Sequence, residues 1–174
     1  YRNRLINRRG HTLNSQLLAS PVQSVLGAEY RIPAGDDRRD MFSLAASAEE
    51  QDTETSEFSS LELGLRRTHA HDSGWLRTVG LDLRREDFRG GDQDDVSTLL
   101  MPSIGWWRST QSASARPDSG YRLALDLRGA GEGLGSDASF VQLELTSRWI
   151  RSLGDRWRVL TRARVGATWR EDSN

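Results

Sequence analysis

A period of two runs through most of this chain, and no other feature narrows its fold as far. From Tyr121 to Leu127 the odd positions read Tyr121, Leu123, Leu125 and Leu127, while the even ones read Arg122, Ala124 and Asp126, followed by Arg128. Successive side chains of a strand point to opposite faces, so this alternation describes a strand with one apolar and one polar face. The next segment repeats it, with Val141, Leu143, Leu145 and Trp149 against Gln142, Glu144, Thr146 and Arg148. A third sets Trp157, Val159, Thr161, Ala163, Val165, Ala167 and Trp169 against Arg158, Arg162, Arg164, Thr168 and Arg170, with Leu160 and Gly166 breaking the polar row. Leu61, Leu63 and Leu65 against Glu62 and Arg66, and Val79, Leu81 and Leu83 against Thr78, Asp82 and Arg84, follow the same rule.

Alternation alone does not say whether the apolar face meets a core or a membrane. No stretch approaches the roughly 20 consecutive apolar residues of a membrane-spanning helix, which excludes a helical membrane protein. A charged fraction of 28%, a net charge of −1 and a mean hydropathy of −0.66 give no electrostatic case for nucleic acid. Low hydropathy is nevertheless what a barrel strand has, because every lipid-facing residue is averaged with a polar one facing the lumen. Strand length favours lipid: Trp157 to Trp169, at about 3.3 Å per residue and a tilt near 45°, rises roughly 28 Å, close to the apolar band of a barrel. Tryptophan at both ends of that row suits interfacial girdles, for which Trp157, Trp169, Trp149 and Tyr121 are the candidates.

The fold expected is therefore all-β, an antiparallel up-and-down meander forming part of a transmembrane β-barrel, over residues 1–174 as one partial domain. Strands are expected near 11–19, 21–32, 41–48, 58–68, 75–85, 96–110, 121–128, 140–150 and 156–170, with residues 1–7 finishing an earlier one. Closed bacterial barrels have an even strand number, so nine whole strands read as a central fragment. The opening Tyr1 and the absence of a signal-type apolar run near it fit the same reading. Shorter turns are expected near Pro33 to Asp40, His69 to Gly74, Ala113 to Gly120 and Ser152 to Asp155. Longer outer loops are expected at Glu49 to Glu57, Glu86 to Asp95 and Gly129 to Ser139, the first two acidic. The break at Ser20-Pro21 is short where that alternation would place an outer loop. Pro102 cannot donate to a ladder, so the strand holding it has two possible faces, Leu100, Ile104 and Trp106 or Leu99, Met101 and Trp107, with a bulge able to switch between them.

Motifs for chemistry are weak. Asp72-Ser73-Gly74 and Asp118-Ser119-Gly120 spell the tripeptide of an aspartic-protease dyad, but they follow His71 and Pro117 and precede strands, as hairpin turns do. His69 and His71 have only His11 besides and no ligand cluster, which makes them turn residues. The glycine-rich run Gly129 to Gly135 precedes no helix whose N-terminus could hold a phosphate, and reads as an outer loop. Asp92, Asp94 and Asp95 lack the spacing of a calcium loop, leaving at most loose binding of divalent ions near lipopolysaccharide. Without cysteine there is no disulfide, thiolate metal site or cysteine nucleophile. No catalytic, cofactor-binding or metal residue is expected. The polar rows Asp82, Arg84, Arg122, Asp126, Arg128, Gln142, Glu144, Arg148, Arg158, Arg162 and Arg164 would all face one interior. Charges of both signs there imply water, a plug or a folded-in loop.

Several stretches resemble the barrel of the bacterial surface-antigen, or BamA/TamA, superfamily, and its TamA branch most of all. They are Tyr1 to His11, Val22 to Pro33, Gly74 to Phe88, Leu99 to Arg108, Arg116 to Leu127 and Trp149 to Trp169, about half of the chain, and their order and spacing carry the likeness. The resemblance implies a factor of the Gram-negative outer membrane that helps insert and translocate other proteins, notably autotransporters. It implies no enzymatic activity and no cofactor. The partners it implies are outer-membrane lipid and lipopolysaccharide, client outer-membrane proteins and a periplasm-spanning inner-membrane partner. The family's POTRA domains, seam-forming strands and Arg-Gly-Tyr loop are not among the matching stretches, so no functional residue carries over. A porin-like or lipopolysaccharide-contacting barrel is the alternative, and a soluble β-sandwich binding module is a third reading.

Overall fold

The structure, a computed structural model, describes residues 2–3, 7–35, 39–53, 55–91, 93–110, 119–154 and 156–170. It is all-β. Ten strands lie in one sheet in strict chain order: β1 (Arg2–Asn3), β2 (Thr12–Ala19), β3 (Gln23–Pro33), β4 (Met41–Asp52), β5 (Ser56–Ala70), β6 (Leu76–Gly90), β7 (Gln93–Ser109), β8 (Ser119–Ala130), β9 (Phe140–Leu153) and β10 (Trp157–Arg170). Every neighbouring pair is antiparallel, giving an up-and-down meander of nine long strands after the two-residue β1. Among the described residues the one helical element is a single 3-10 turn, Glu132–Leu134. None is long and apolar enough to cross a membrane, which leaves crossing by strands untouched.

The register keeps the period of two in phase from strand to strand. Tyr30 opposes Leu44, Leu44 opposes Leu65, and Leu65 opposes Leu81, while Ile104 opposes Leu127 and Leu127 opposes Leu143. A slip of one residue in any pair would send that strand's apolar set to the other face. The sheet's burial is inverted relative to a soluble domain. Leu26 is 59% and Leu63 48% exposed, whereas on the opposite face Ser43 is 7% and Asp82 9% exposed. The apolar side chains thus form a continuous exposed surface, and from β3 to β6 packing concentrates among the polar ones.

One expectation is corrected. The acidic segments 49–57 and 86–95 are not loops: β4 runs to Asp52 and β5 starts at Ser56, and β6 runs to Gly90 and β7 starts at Gln93. Glu50 opposes Ser59, Asp52 opposes Glu57, and Arg89 opposes Asp94 within continuous ladders. Acidic composition marks where strands leave the apolar band, and a backbone ladder needs no apolar side chains to continue. Connection lengths consequently do not alternate as expected. Those at 20–22, 53–55 and 91–92 are tight, whereas 34–40 and 71–75, at the opposite end, are longer; further on, 131–139 is long and 154–156 short, as expected.

The register also decides between the two faces left open for the strand holding Pro102. No bulge occurs, since β6 and β7 pair without interruption from Leu76 with Trp107 to Gly90 with Gln93, and this puts Leu100, Ile104 and Trp106 on the apolar face. The ladder from β7 to β8 covers only Ser103 to Ser109. Thr98 and Leu100 turn their peptide groups toward the side β8 would occupy, and Pro102 shares their parity. Its missing N–H therefore falls where the β8 ladder has already ended, and no sheet bond is lost. The vacated edge is taken by the connection 131–139. Asp137 N–H donates to the Thr98 carbonyl, and Leu100 N–H donates to Ser136 Oγ at 2.9 Å, which returns a bond to the Leu100 carbonyl. The glycine-rich segment, expected as a free outer loop, is thereby held against β7, with Ser136 only 5% exposed.

Candidate functional site

Charged groups gather on the polar face. The register puts Asp82, Arg84, Arg122, Asp126, Arg128, Gln142, Glu144, Arg148, Arg158, Arg162 and Arg164 on that face together. Between β2 and β7 its arginines are paired. Arg31 pairs with Glu29 at 2.7 Å, Arg66 with Asp82 at 2.8 Å and Arg84 with Glu86 at 2.7 Å, and Gln23 donates to Glu49 at 2.7 Å. Glycines admit the side chains that cross this face. A Cβ on Gly64 would lie 2.5 Å from Asp82 Oδ1, and one on Gly80 would lie 2.6 Å from Ser103 Oγ. Small residues on one strand thus make room for polar groups from the next.

From β8 to β10 the charges form rows across the strands. Arg122 opposes Arg148, which opposes Arg162; four residues along, Asp126 opposes Glu144, which opposes Gly166. Arg164 donates to Glu144 at 2.7 Å, and Arg128 Nε donates to Gln142 at 2.6 Å. Asp126 overlies Gly105, where a Cβ would come within 2.5 Å of its Oδ1. Arg66, Asp82, Ser103, Asp126, Glu144 and Arg164 line one groove that joins the two halves of the face.

The girdle candidates occupy the apolar face. Trp157 and Trp169 stand at the two ends of β10, opposite Leu153 and Val141. Tyr121 and Trp149 are cross-strand partners with ring centroids 5.7 Å apart, and Trp149 Nε1 donates to Ser147 Oγ at 2.9 Å. Arginines also reach this face beyond the leucine band, and the Arg67 guanidinium lies 4.5 Å over the Phe42 ring.

At the end bearing the turn 71–75, Asp40 ties two hairpins together. Its carboxylate accepts from the Ala70 N–H and contacts His69 Nδ1 at 2.9 Å, with Arg67 at 3.8 Å. The Ala70 N–H first, then His69, hold the Asp40 pKa below its ordinary value of 3.8. His69 and His71 meet edge to face at 4.8 Å. Among the described residues no group of three His, Asp or Glu is placed to hold a metal. Asp72-Ser73-Gly74 is a hairpin turn, with Gly74 at φ +82° and the His71 N–H donating to the Trp75 carbonyl. In the second tripeptide Ser119 and Gly120 already belong to β8, and Asp118 lies outside the described residues, as do Asp92 and most of the turn expected at Ala113 to Gly120.

Sequence reading did not single out Asp40, Ser136, Asp137 or the glycines under Asp82 and Asp126. The polar alternation signalled Arg66 without its partner. Asp40 and Ser136 gain their roles only from segments far along the chain. No family model matches this chain.

Proposed function

We propose that this chain is a segment of an outer-membrane β-barrel belonging to a factor that assembles or translocates other outer-membrane proteins in a Gram-negative bacterium. The observation that carries the membrane part is the apolar face of the sheet: it is left exposed along nine long strands, and from β3 to β6 the polar face is the better buried of the two. A monomer in water would leave that surface without cover, far beyond the few hundred Å² of apolar patch that soluble proteins tolerate. Strands of 14 and 15 residues exceed the roughly 9–11 that a tilted crossing needs. On β6 the leucine band is bounded by Arg77 and Arg85, about 19 Å apart in height at about 3.3 Å per residue and 45° tilt, with arginine stems long enough to reach headgroups on either side.

The assembly role rests on the resemblance to the surface-antigen superfamily, whose matching stretches fall on β1, β3, β6, β7, β8, β9 and β10. Clients would be outer-membrane proteins, autotransporters among them, and the surroundings lipid and lipopolysaccharide, with no chemistry by the protein itself. Reconstitution of the full-length protein in vesicles tests this: it should speed the insertion of an unfolded autotransporter barrel. A steady, large conductance with no effect on insertion would replace the assembly reading with a porin-like one. A detergent-free soluble monomer would overturn both.

A further inference from the structure

The row Arg122, Arg148 and Arg162 is the least self-sufficient feature of the polar face. The three stand directly opposite one another on adjacent strands. Like charges in that position repel and destabilise a sheet. Elsewhere on this face four arginines are answered by a neighbouring carboxylate or amide: Arg66 has Asp82, Arg84 has Glu86, Arg164 has Glu144 and Arg128 has Gln142. Among the described residues no carboxylate reaches the three arginines, and Arg122 has only the Trp107 ring, 5.3 Å from its guanidinium. The nearest acids along the same strands, Asp126 and Glu144, lie about 13 Å away at about 3.3 Å per residue, and Glu144 is already held by Arg164. All three side chains are exposed.

We infer that this row is a binding site for a phosphate-bearing ligand. Strands spaced about 4.8 Å apart place three guanidiniums across about 10 Å, which suits a compact, multiply charged anion better than a lone carboxylate. The choice of side chain fits as well: the 24 basic residues of this chain are all arginine, whose planar fork grips phosphate oxygens in pairs. Charge segregation aids the site, because the acidic row is set apart and leaves a local excess of positive charge to attract the anion. The inference depends on the register of β8 to β10 and stands independently of any assembly activity.

Calorimetric titration of the full-length protein in zwitterionic micelles at low salt tests it, with inorganic pyrophosphate as the soluble probe and a short-chain phosphatidic acid as the lipid one. Saturable binding of either supports the site, and the arm that binds tells whether the phosphate is free or carried by a lipid. Arg148→Gln should weaken that binding at least about tenfold, since it removes the middle fork of the row. Arg128→Gln, with the same change in net charge on the same face, should change it less than about twofold. Binding of neither probe overturns the inference, as does equal weakening by the two variants. Binding of oligoglutamate with neither phosphate probe overturns it in favour of an acidic polypeptide.

Discussion

The two halves of the sheet share one architecture and spend their charges differently. From β2 to β7 the arginines of the polar face are paired: Arg66 and Asp82, Arg84 and Glu86, and Arg31 and Glu29 are neighbours that answer one another. From β8 to β10 like charges stand in rows, three arginines in one and Asp126 with Glu144 in another. A face that satisfies its own charges holds a sheet together, whereas a face that leaves them aligned has capacity for something else. The apolar face makes no such distinction, because Leu63 lies between Ala46 and Leu83 in one half much as Leu125 lies between Trp106 and Leu145 in the other.

That shared face offers the largest test. Leu63→Arg and Leu125→Arg should each destabilise the barrel in vesicles by about 2–4 kcal/mol, the cost of a cation near the bilayer midplane. Ala124→Arg, between Trp107 and Thr146 on the polar face, should cost clearly less in the same folding titrations. Equal losses at Leu125 and Ala124 would mean that the sheet never meets a membrane.

Glycine substitutions should separate the halves next. At Gly64 a methyl group must displace Asp82, which is pinned by Arg66, so Gly64→Ala should cost about 1–3 kcal/mol in urea unfolding. At Gly105 the obstacle is Asp126, which no described cation holds, so Gly105→Ala should fall within about 0.5 kcal/mol of the parent. The reverse order would break the contrast between closed and open charge.

A smaller effect is expected where the halves join. Ser136→Ala removes the acceptor for the Leu100 N–H and should cost about 1 kcal/mol, seen as faster amide exchange at Leu100 with little change at Leu81. The smallest effect concerns Asp40. Its pKa is depressed on folding, so its contribution is full above the ordinary value of 3.8 and is lost as pH falls through the folded-state value. Exchange at the Ala70 amide should therefore be insensitive to pH-dependent loosening near neutrality and show it below that value, and Asp40→Ala should abolish the dependence.

Much of this was legible in the sequence, for a definite reason. Where one face is apolar, period two reports both the strand and its orientation, and Tyr121 to Leu127 and Trp157 to Trp169 fold as the pattern reads. The signal fades where both faces turn polar, which is why Glu49 to Asp52 and Glu86 to Gly90 read as loops although their ladders continue. Pro102 obscured the faces of β7 because the pattern cannot tell an interior proline from one beside a ladder's end. Rows are harder still. That Arg122, Arg148 and Arg162 share a face follows from parity, but that they share a row depends on register, which turn geometry sets. Asp40 with His69 and Ser136 with Leu100 join residues 29 and 36 positions apart, beyond the reach of any local pattern.

The strict chain order of the strands also governs how such a sheet can come into being. Every strand's partner is its neighbour in sequence, and most connections are short, so each pairing closes only a small loop at small entropic cost. Topologies dominated by such near-sequence contacts fold faster than those that must join distant segments. The sheet can therefore grow one hairpin at a time, each finished strand serving as the template for the next. The junction of β7 with β8 is the exception, since it pairs over the least length of the long strands and waits for residues 136 and 137 to complete its edge. Growth should pause there, with the strands before it already in register and those after it still to be set.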